Sequence, residues 1–167
     1  MKMYLLLMLS VRGAAAFIAA AHKSPKKPLI YIIDIIYLAV MIYMVGFRGV
    51  RTGLGGINIR FPLPFLEAII SRHYGVTTNR SVLNMILFVP FGYLFAKTIQ
   101  HASGKNIRWW VAAGAGFAVS LLIETAQLLF RFGVFELDDL IKNTLGAWGG
   151  YLIWTQLEHW EPNRELQ

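Results

Sequence analysis

Four stretches of roughly 20 mainly apolar residues constrain most strongly what this chain can fold into. A transmembrane helix needs about 20 such residues to cross the hydrocarbon core of a bilayer. The stretches are residues 29–47, 82–99, 109–130 and 139–156. We therefore predict an all-α fold, a polytopic membrane helical bundle with these four stretches as its core transmembrane helices.

A further apolar run, residues 3–21, comes first in the chain and contains Arg12 near its middle. An arginine at the centre of a span costs roughly 2.5–3.5 kcal/mol on insertion scales. We favour a retained N-terminal fifth helix, with an interfacial helix and a cleaved signal peptide as the alternatives. The chain then divides into an N-terminal apolar segment with a basic loop (1–28), a transmembrane domain (29–156) and a polar C-terminal tail (157–167).

Composition supports the membrane assignment. Of 167 residues, 56% are hydrophobic and 15% are charged, at a mean hydropathy of +0.52, which is too apolar for a water-soluble domain of this size. The absence of cysteine excludes disulfides and thiolate metal ligands or nucleophiles. The net charge of +7 comes from bases between apolar runs, which suit topology signals and anionic lipid headgroups. We expect membrane lipids as partners, and no nucleic acid, cofactor or metal.

Lysines in the short loops predict the orientation. The loop around Lys26 and the loop around Lys105 contain lysine and no acid, and two predicted spans separate them. By the positive-inside rule, both loops are cytoplasmic. Residues 48–81 and 131–138 then lie on the extracytoplasmic face.

Polar residues collect at the extracytoplasmic ends of three predicted spans. Spacings of three and four residues place several of them on one side of a helix. One such stripe is Ser120, Glu124, Gln127 and Arg131, and another is Asp139, Asn143, Gly146 and Gly150. The acids of residues 136–139 are expected to face the first stripe with its arginine. The aspartates also lie at a helix N-terminus, where the helix dipole favours a carboxylate.

These features also have structural interpretations. Glu124 is equally well explained as a member of a buried network whose role is stability. The glycines of "GAWGG" indicate close helix packing, through Gly146 and Gly150, more strongly than a phosphate-binding loop.

The chain resembles the VanZ-like family of small bacterial membrane proteins in three ordered motifs, "NMILFVPFGYL", "SLLIETAQ" and "FELDDLIKNTLGAWGGYL", and in "INIRFPLPF" of the long loop. The resemblance spans residues 30–155 approximately. It implies that the characteristic positions are Asn84, Pro90, Gly92, Glu124, Gln127, Asp138, Asp139, Asn143 and Gly146. The family's namesake is linked to resistance to teicoplanin, a glycopeptide that acts outside the cell on lipid-linked cell-wall precursors. The resemblance implies such a role without a settled biochemical activity.

The leading functional hypothesis is an extracytoplasmic polar pocket that binds the headgroup of an anionic lipid or a cell-envelope precursor. Arginine suits phosphate because its planar guanidinium donates two hydrogen bonds at once. The acids would orient the arginines, or contact hydroxyls and amines of the ligand. The expected ligand-binding residues are Asn58, Arg60, Asn84, Glu124, Gln127, Arg131, Asp138, Asp139 and Asn143.

Two alternatives remain open on the sequence alone. A membrane-embedded transferase or hydrolase acting on a phospholipid or a prenyl phosphate could use Glu124, Asp138 or Asp139 in acid–base catalysis. The sequence contains no HExxH or GxSxG motif and no strong metal-ligand spacing, which favours binding over turnover. The other alternative is a structural or partner-binding bundle.

Overall fold

The computed structural model describes residues 2–22, 27–47, 56–58, 76–131 and 133–160 of the chain. These residues form the helices α1 (Lys2–His22), α2 (Lys27–Ile42), α3 (Val76–Ser103), α4 (Trp109–Leu129) and α5 (Leu137–Trp160). A π-helical turn, Tyr43–Phe47, extends α2, and two short strands are β1 (Gly56–Asn58) and β2 (Val134–Glu136). The described chain is mostly helical, as predicted, with a strand pair that the all-α prediction did not include.

Three helices in the described part are long and apolar enough to cross a membrane: Pro28–Gly46, Val82–Ser103 and Trp109–Leu129. They match three of the four predicted spans. The fourth predicted span, 139–156, lies inside α5. Although α5 is 24 residues long, its first turns carry Asp138, Asp139 and Lys142, and the helix is not among those three.

Helix α3 is central to the packing. It contacts α1, α2, α4 and, most extensively, α5. Its buried Phe88, Tyr93 and Leu94 belong to one apolar core with Met41 of α2 and Trp154 of α5. The packing of α3 therefore determines where its buried polar residue Asn84 meets the other helices.

The N-terminal helix α1 packs against this core. Ala21 is buried, and the ring of Phe17 lies edge-on against Tyr37 of α2, with ring centroids 4.8 Å apart. At the C-terminal end of α1, the carbonyl oxygen of His22 accepts a hydrogen bond of 3.3 Å from the buried Lys97 of α3. Residues 3–21 thus form a helix that contributes to the bundle.

Glycines let α5 approach the backbone of α3. A Cβ atom at Gly150 would lie 1.9 Å from the carbonyl oxygen of Val89, and one at Gly146 would lie 2.3 Å from the carbonyl oxygen of Met85. Both distances are far shorter than van der Waals contact, so this helix separation requires glycine. The prediction that these two glycines pack helices closely is confirmed.

Helix α5 also packs closely against α4, where Ala147 faces Gly116. A Cβ atom at Gly116 would lie 2.4 Å from the Cβ of Ala147, and its next nearest neighbour would be 3.7 Å away. We expect Gly116→Ala to lower the free energy of unfolding by about 1–3 kcal/mol, the usual cost of overpacking. Ala147→Gly removes the contacted methyl group, so the double variant should be more stable than the sum of the two single losses predicts.

Thermal unfolding of the purified variants in detergent measures this coupling. Gly114→Ala is the matched control in α4, because a Cβ atom there meets nothing within 4 Å. Strictly additive losses for Gly116→Ala and Ala147→Gly would contradict the close approach of α4 and α5 at this point.

Candidate functional site

Six polar side chains are at least nine-tenths buried where α3, α4 and α5 pack together near the N-terminus of α5. They are Asn84, Ser120, Glu124, Asp139, Lys142 and Asn143, and we call them the polar cluster. Burial of polar groups is costly unless they are hydrogen-bonded, so their partners define what the cluster can do.

One contact of the cluster joins α3 to α5. The amide Nδ2 of Asn84 donates a hydrogen bond of 3.1 Å to Oδ2 of Asp139. Asp139 lies in the first turn of α5, where the free backbone N–H groups and the helix dipole favour a negative charge. The expected placement of an aspartate at this helix N-terminus is confirmed.

Glu124 joins α4 to the beginning of α5. Its side chain is 1% exposed, and its Oε2 accepts a hydrogen bond of 2.9 Å from the backbone N–H of Glu136. The carboxylates of Asp139 and Glu136 are close enough to interact with it electrostatically. Glu124 therefore lies among acids and is held by a backbone donor.

A second side-chain contact joins α4 to α5 one helical turn away. Nδ2 of Asn143 donates a hydrogen bond of 2.9 Å to Oγ of Ser120, and both residues are buried. The Oδ1 of Asn143 is buried and has no hydrogen-bond partner among the described residues. An unpaired buried acceptor costs about 1–3 kcal/mol, so a bound donor at this oxygen would be stabilising.

Lys142 brings the positive charge of the cluster. Its ammonium forms an ion pair with Asp138, one turn earlier in α5, and the residue is 5% exposed. Sequence reasoning did not select Lys142. The spacing of an acid and a lysine four residues apart on a helix was the signal that would have found it.

Gln127 and Arg131 lie outside the polar cluster. Nε2 of Gln127 donates to the carbonyl oxygens of Val45 and Gly46, at 3.2 and 3.3 Å, in the turn that extends α2. Helix α4 ends at Leu129, and Arg131 has a left-handed backbone with a φ of 55° and an exposed side chain.

The predicted stripe from Ser120 to Arg131 therefore ends at Gln127. The left-handed turn takes Arg131 off the helix, so the arginine does not continue the helical face. No ion pair among the described residues includes Arg131, and the expectation that it faces the acids stays a prediction.

The strand pair brings part of the long segment between α2 and α3 next to the cluster. β1 runs parallel to β2, with Ile57 opposite Phe135 and Asn58 opposite Glu136. The backbone of Asn58 thus lies beside the residue whose N–H group binds Glu124. Two residues predicted to bind a ligand, Asn58 and Arg60, belong to this segment, and their side chains lie outside the described part of the chain. The same holds for the other arginines of residues 48–81, which are Arg48, Arg51, Arg72 and Arg80.

The sequence model of one protein family, VanZ/LLP1, matches residues 31–158, which is well over half of the chain and contains the whole polar cluster. The chain belongs to the VanZ/LLP1 family. The match confirms the resemblance seen in the sequence motifs, and α1 precedes the matched range. No curated protein and no solved structure matches the chain.

In this VanZ/LLP1 chain, the polar cluster is rich in hydrogen-bond acceptors. Glu124 and Asp139 contribute carboxylates, Asn143 contributes an unpaired amide oxygen, and Lys142 is already paired with Asp138. In the described ranges, no group of three or more His, Asp or Glu side chains is arranged to hold a metal ion. The arrangement can therefore receive hydroxyl or amino donors, and it presents little free positive charge.

Sequence reasoning found the core of this VanZ/LLP1 cluster. Of the residues predicted to bind a ligand, those in the cluster are Asn84, Glu124, Asp139 and Asn143, and Asp138 contacts it through Lys142. Ser120 was placed on the predicted stripe but was not expected in the site. The ligand-binding role of all these residues stays a prediction.

Proposed function

We propose that this protein is a multi-pass membrane protein whose polar cluster binds the headgroup of an anionic membrane lipid or a cell-envelope precursor. The observation that carries the proposal is the group of buried acceptors, Glu124, Asp139 and Asn143, between helices that are otherwise apolar. Ionisable groups at such depth in a membrane protein are expensive, and their default interpretation is functional.

The exposed surface of α5 supports a fourth membrane span. Four of its exposed side chains are large and apolar and recur at helical spacing: Leu145, Trp148, Leu152 and Ile153. Its opposite side carries the cluster residues and the glycines that pack against α3. Three polar residues that lower its average hydropathy, Asp139, Lys142 and Asn143, therefore lie inside the bundle, and the lipid would meet a largely apolar face.

The orientation that we propose places the polar cluster on the extracytoplasmic side. The loop between α3 and α4 contains Lys105 and Arg108 and no acid, which favours a cytoplasmic location. The cluster residues of α4, Ser120 and Glu124, lie in the half of the helix that is further from this loop, which favours the opposite membrane surface for the cluster. Lipid-linked cell-wall precursors are presented at that surface, which links the proposal to resistance to teicoplanin-type glycopeptides.

The chemistry of the cluster narrows the ligand. Since Glu124 and Asp139 are acceptors, they suit hydroxyl or ammonium groups of a headgroup, and the carboxylate of Asp139 would repel phosphate. The exposed Arg131, just beyond the end of α4, is available to a phosphate outside the cluster. A phosphate ester whose headgroup also carries hydroxyl or amino donors fits both conditions.

Removal of the Asp139 charge should weaken this binding. Hydrogen bonds to charged groups contribute about 1.5–3 kcal/mol, so Asp139→Asn is expected to lower headgroup occupancy about tenfold or more. Asparagine retains an acceptor for Asn84, which keeps the contact between α3 and α5. Native mass spectrometry of protein released from nanodiscs of phosphatidylglycerol and phosphatidylcholine measures how much of each lipid is retained.

The matched control is Asp34→Asn, which removes the same charge from α2. Asp34 lies near Thr98, which is 14 residues, or about 21 Å, along α3 from Asn84. Equal retention of phosphatidylglycerol by the wild type and Asp139→Asn would overturn the proposed site. Chemical alteration of the retained lipid would instead support the enzymatic alternative.

A further inference from the structure

Two neighbouring side chains of α4 each hold a different piece of backbone outside that helix. Glu124 accepts the N–H of Glu136, at the junction of β2 and α5, at 2.9 Å. Gln127, almost one helical turn later, donates to the carbonyl oxygens of Val45 and Gly46 at the end of the α2 extension. Both residues therefore bind backbone groups, and neither hydrogen bond depends on the side chain of the residue that is contacted.

Each of the backbone groups that they bind lies at or beside the end of a helix. The first N–H groups of a helix lie beyond reach of its own carbonyls, and the last carbonyls are likewise free. Glu136 immediately precedes α5, and Val45 and Gly46 lie in the last turn before the chain leaves α2. Each contact of α4 thus fixes the end of a neighbouring helix.

The contact of Glu124 also extends to β1. Glu136 is the last residue of β2, and it lies opposite Asn58 in the parallel pair. The pair is three residues long, and a strand pair of this size is not stable on its own in water. The position of β1 therefore depends on how firmly β2 is held, and Glu124 holds β2 through the N–H of Glu136.

We infer that Glu124 is a positioning residue that places β2, and through it Asn58 of β1, beside the polar cluster. Gln127 supports the same arrangement from the end of α2. In terms of the proposed function, on which this part of the inference rests, headgroup contact then belongs to Asp139 and Asn143. Glu124 acts through the Glu136 backbone instead of through its own charge.

Two substitutions separate the effect of side-chain length at position 124 from the effect of its charge. Glu124→Gln keeps the length of the side chain and an acceptor oxygen, and it removes the charge. Glu124→Asp keeps the charge and is shorter by one methylene, so its carboxylate falls short of the Glu136 N–H. A positioning role predicts that Gln preserves the strand pair and Asp loses it.

The strand pair can be measured directly because the chain has no cysteine. Cysteines at Ile57 and Phe135, which lie opposite each other, should cross-link under mild oxidation in the otherwise unchanged protein. We expect Glu124→Gln to cross-link at the wild-type rate and Glu124→Asp to cross-link about tenfold more slowly, as the loss of the hydrogen bond to the Glu136 N–H predicts. Leu122→Ala, on the exposed side of α4, is the control and should have no effect.

The same variants distinguish this inference from the proposed function. Cross-linking reports the strand pair whether or not a lipid is bound, and retention of phosphatidylglycerol in nanodiscs reports the site. Fast cross-linking of Glu124→Asp, or slow cross-linking of Glu124→Gln, would overturn the positioning role. Normal cross-linking of Glu124→Gln with loss of the lipid would overturn the division of roles and assign Glu124 to the headgroup.

Discussion

Gly150→Ala is expected to lower the free energy of unfolding by about 3 kcal/mol or more, at or above the upper end of the usual cost of overpacking. The added Cβ atom would lie 1.9 Å from the carbonyl oxygen of Val89 and 2.7 Å from the backbone nitrogen of Tyr93. Both contacts are to backbone, so no side-chain rotation relieves them. Helix α5 must move away from α3, in the most extensive helix contact of the bundle.

Gly149→Ala is the matched control for this prediction. It makes the same chemical change one residue earlier in the same helix, where a Cβ atom meets nothing within 4 Å. Alanine is favoured over glycine in a helix by about 1 kcal/mol, so this variant should be neutral or slightly stabilised. Thermal unfolding in one detergent compares the two, and equal stability of both variants would contradict the packing of α5 on α3.

The membrane helices could be predicted because long apolar runs leave few other solutions. The predicted spans 29–47, 82–99 and 109–130 correspond closely to the apolar helical segments Pro28–Gly46, Val82–Ser103 and Trp109–Leu129. The close packing of α5 was also visible, since Gly146 and Gly150 lie four residues apart on one face. Both features could be predicted because they depend on the types and spacing of residues that are close together in the sequence.

The strand pair and the end of α4 could not be predicted in the same way. β1 and β2 are only three residues long and lie far apart in the sequence, so neither gives a periodic signal. Arg131 adopts a backbone conformation that usually favours glycine, and Gly133 nearby is the residue that the sequence would have suggested. A helix extended through Arg131 was the natural expectation, whereas α4 ends at Leu129.

Because α4 ends at Leu129, the electrostatic character of the candidate site differs from the one that the sequence predicted. With Arg131 on the stripe, the acids would have been balanced by an arginine suited to phosphate. In the structure, the positive charge of the polar cluster is Lys142, which pairs with Asp138, and the cluster also contains the carboxyl groups of Glu124 and Asp139. The ligand chemistry that we propose for the cluster therefore shifts from phosphate toward the hydroxyl or amino groups that accompany it.

We also expect α5 to cross the membrane, which cysteine labelling can test with an all-or-none difference between positions. If α5 crosses the bilayer, the C-terminus and the loop between α3 and α4 share one face, and the residues between α4 and α5 lie on the other. A cysteine at Ser103 or Gln167 should then resist an impermeant thiol reagent in intact cells, and one at Phe130 or Ser71 should be labelled fully. A cysteine at Ser24 should be protected as well, because the lysines around it favour the cytoplasm.

Each protected cysteine should react once the membrane is permeabilised, which shows that protection comes from the bilayer and not from burial in the protein. The C-terminal position decides between four spans and three. Labelling of Gln167→Cys together with Phe130→Cys would mean that α5 does not cross, because both of its ends would lie on one face. Labelling of Ser103→Cys with protection of Phe130→Cys would reverse the orientation, and the polar cluster would then face the cytoplasm and not the surface where cell-wall precursors are presented. The apolar outer side of α5, with Leu145, Trp148 and Leu152 exposed, is the physical reason for expecting the crossing.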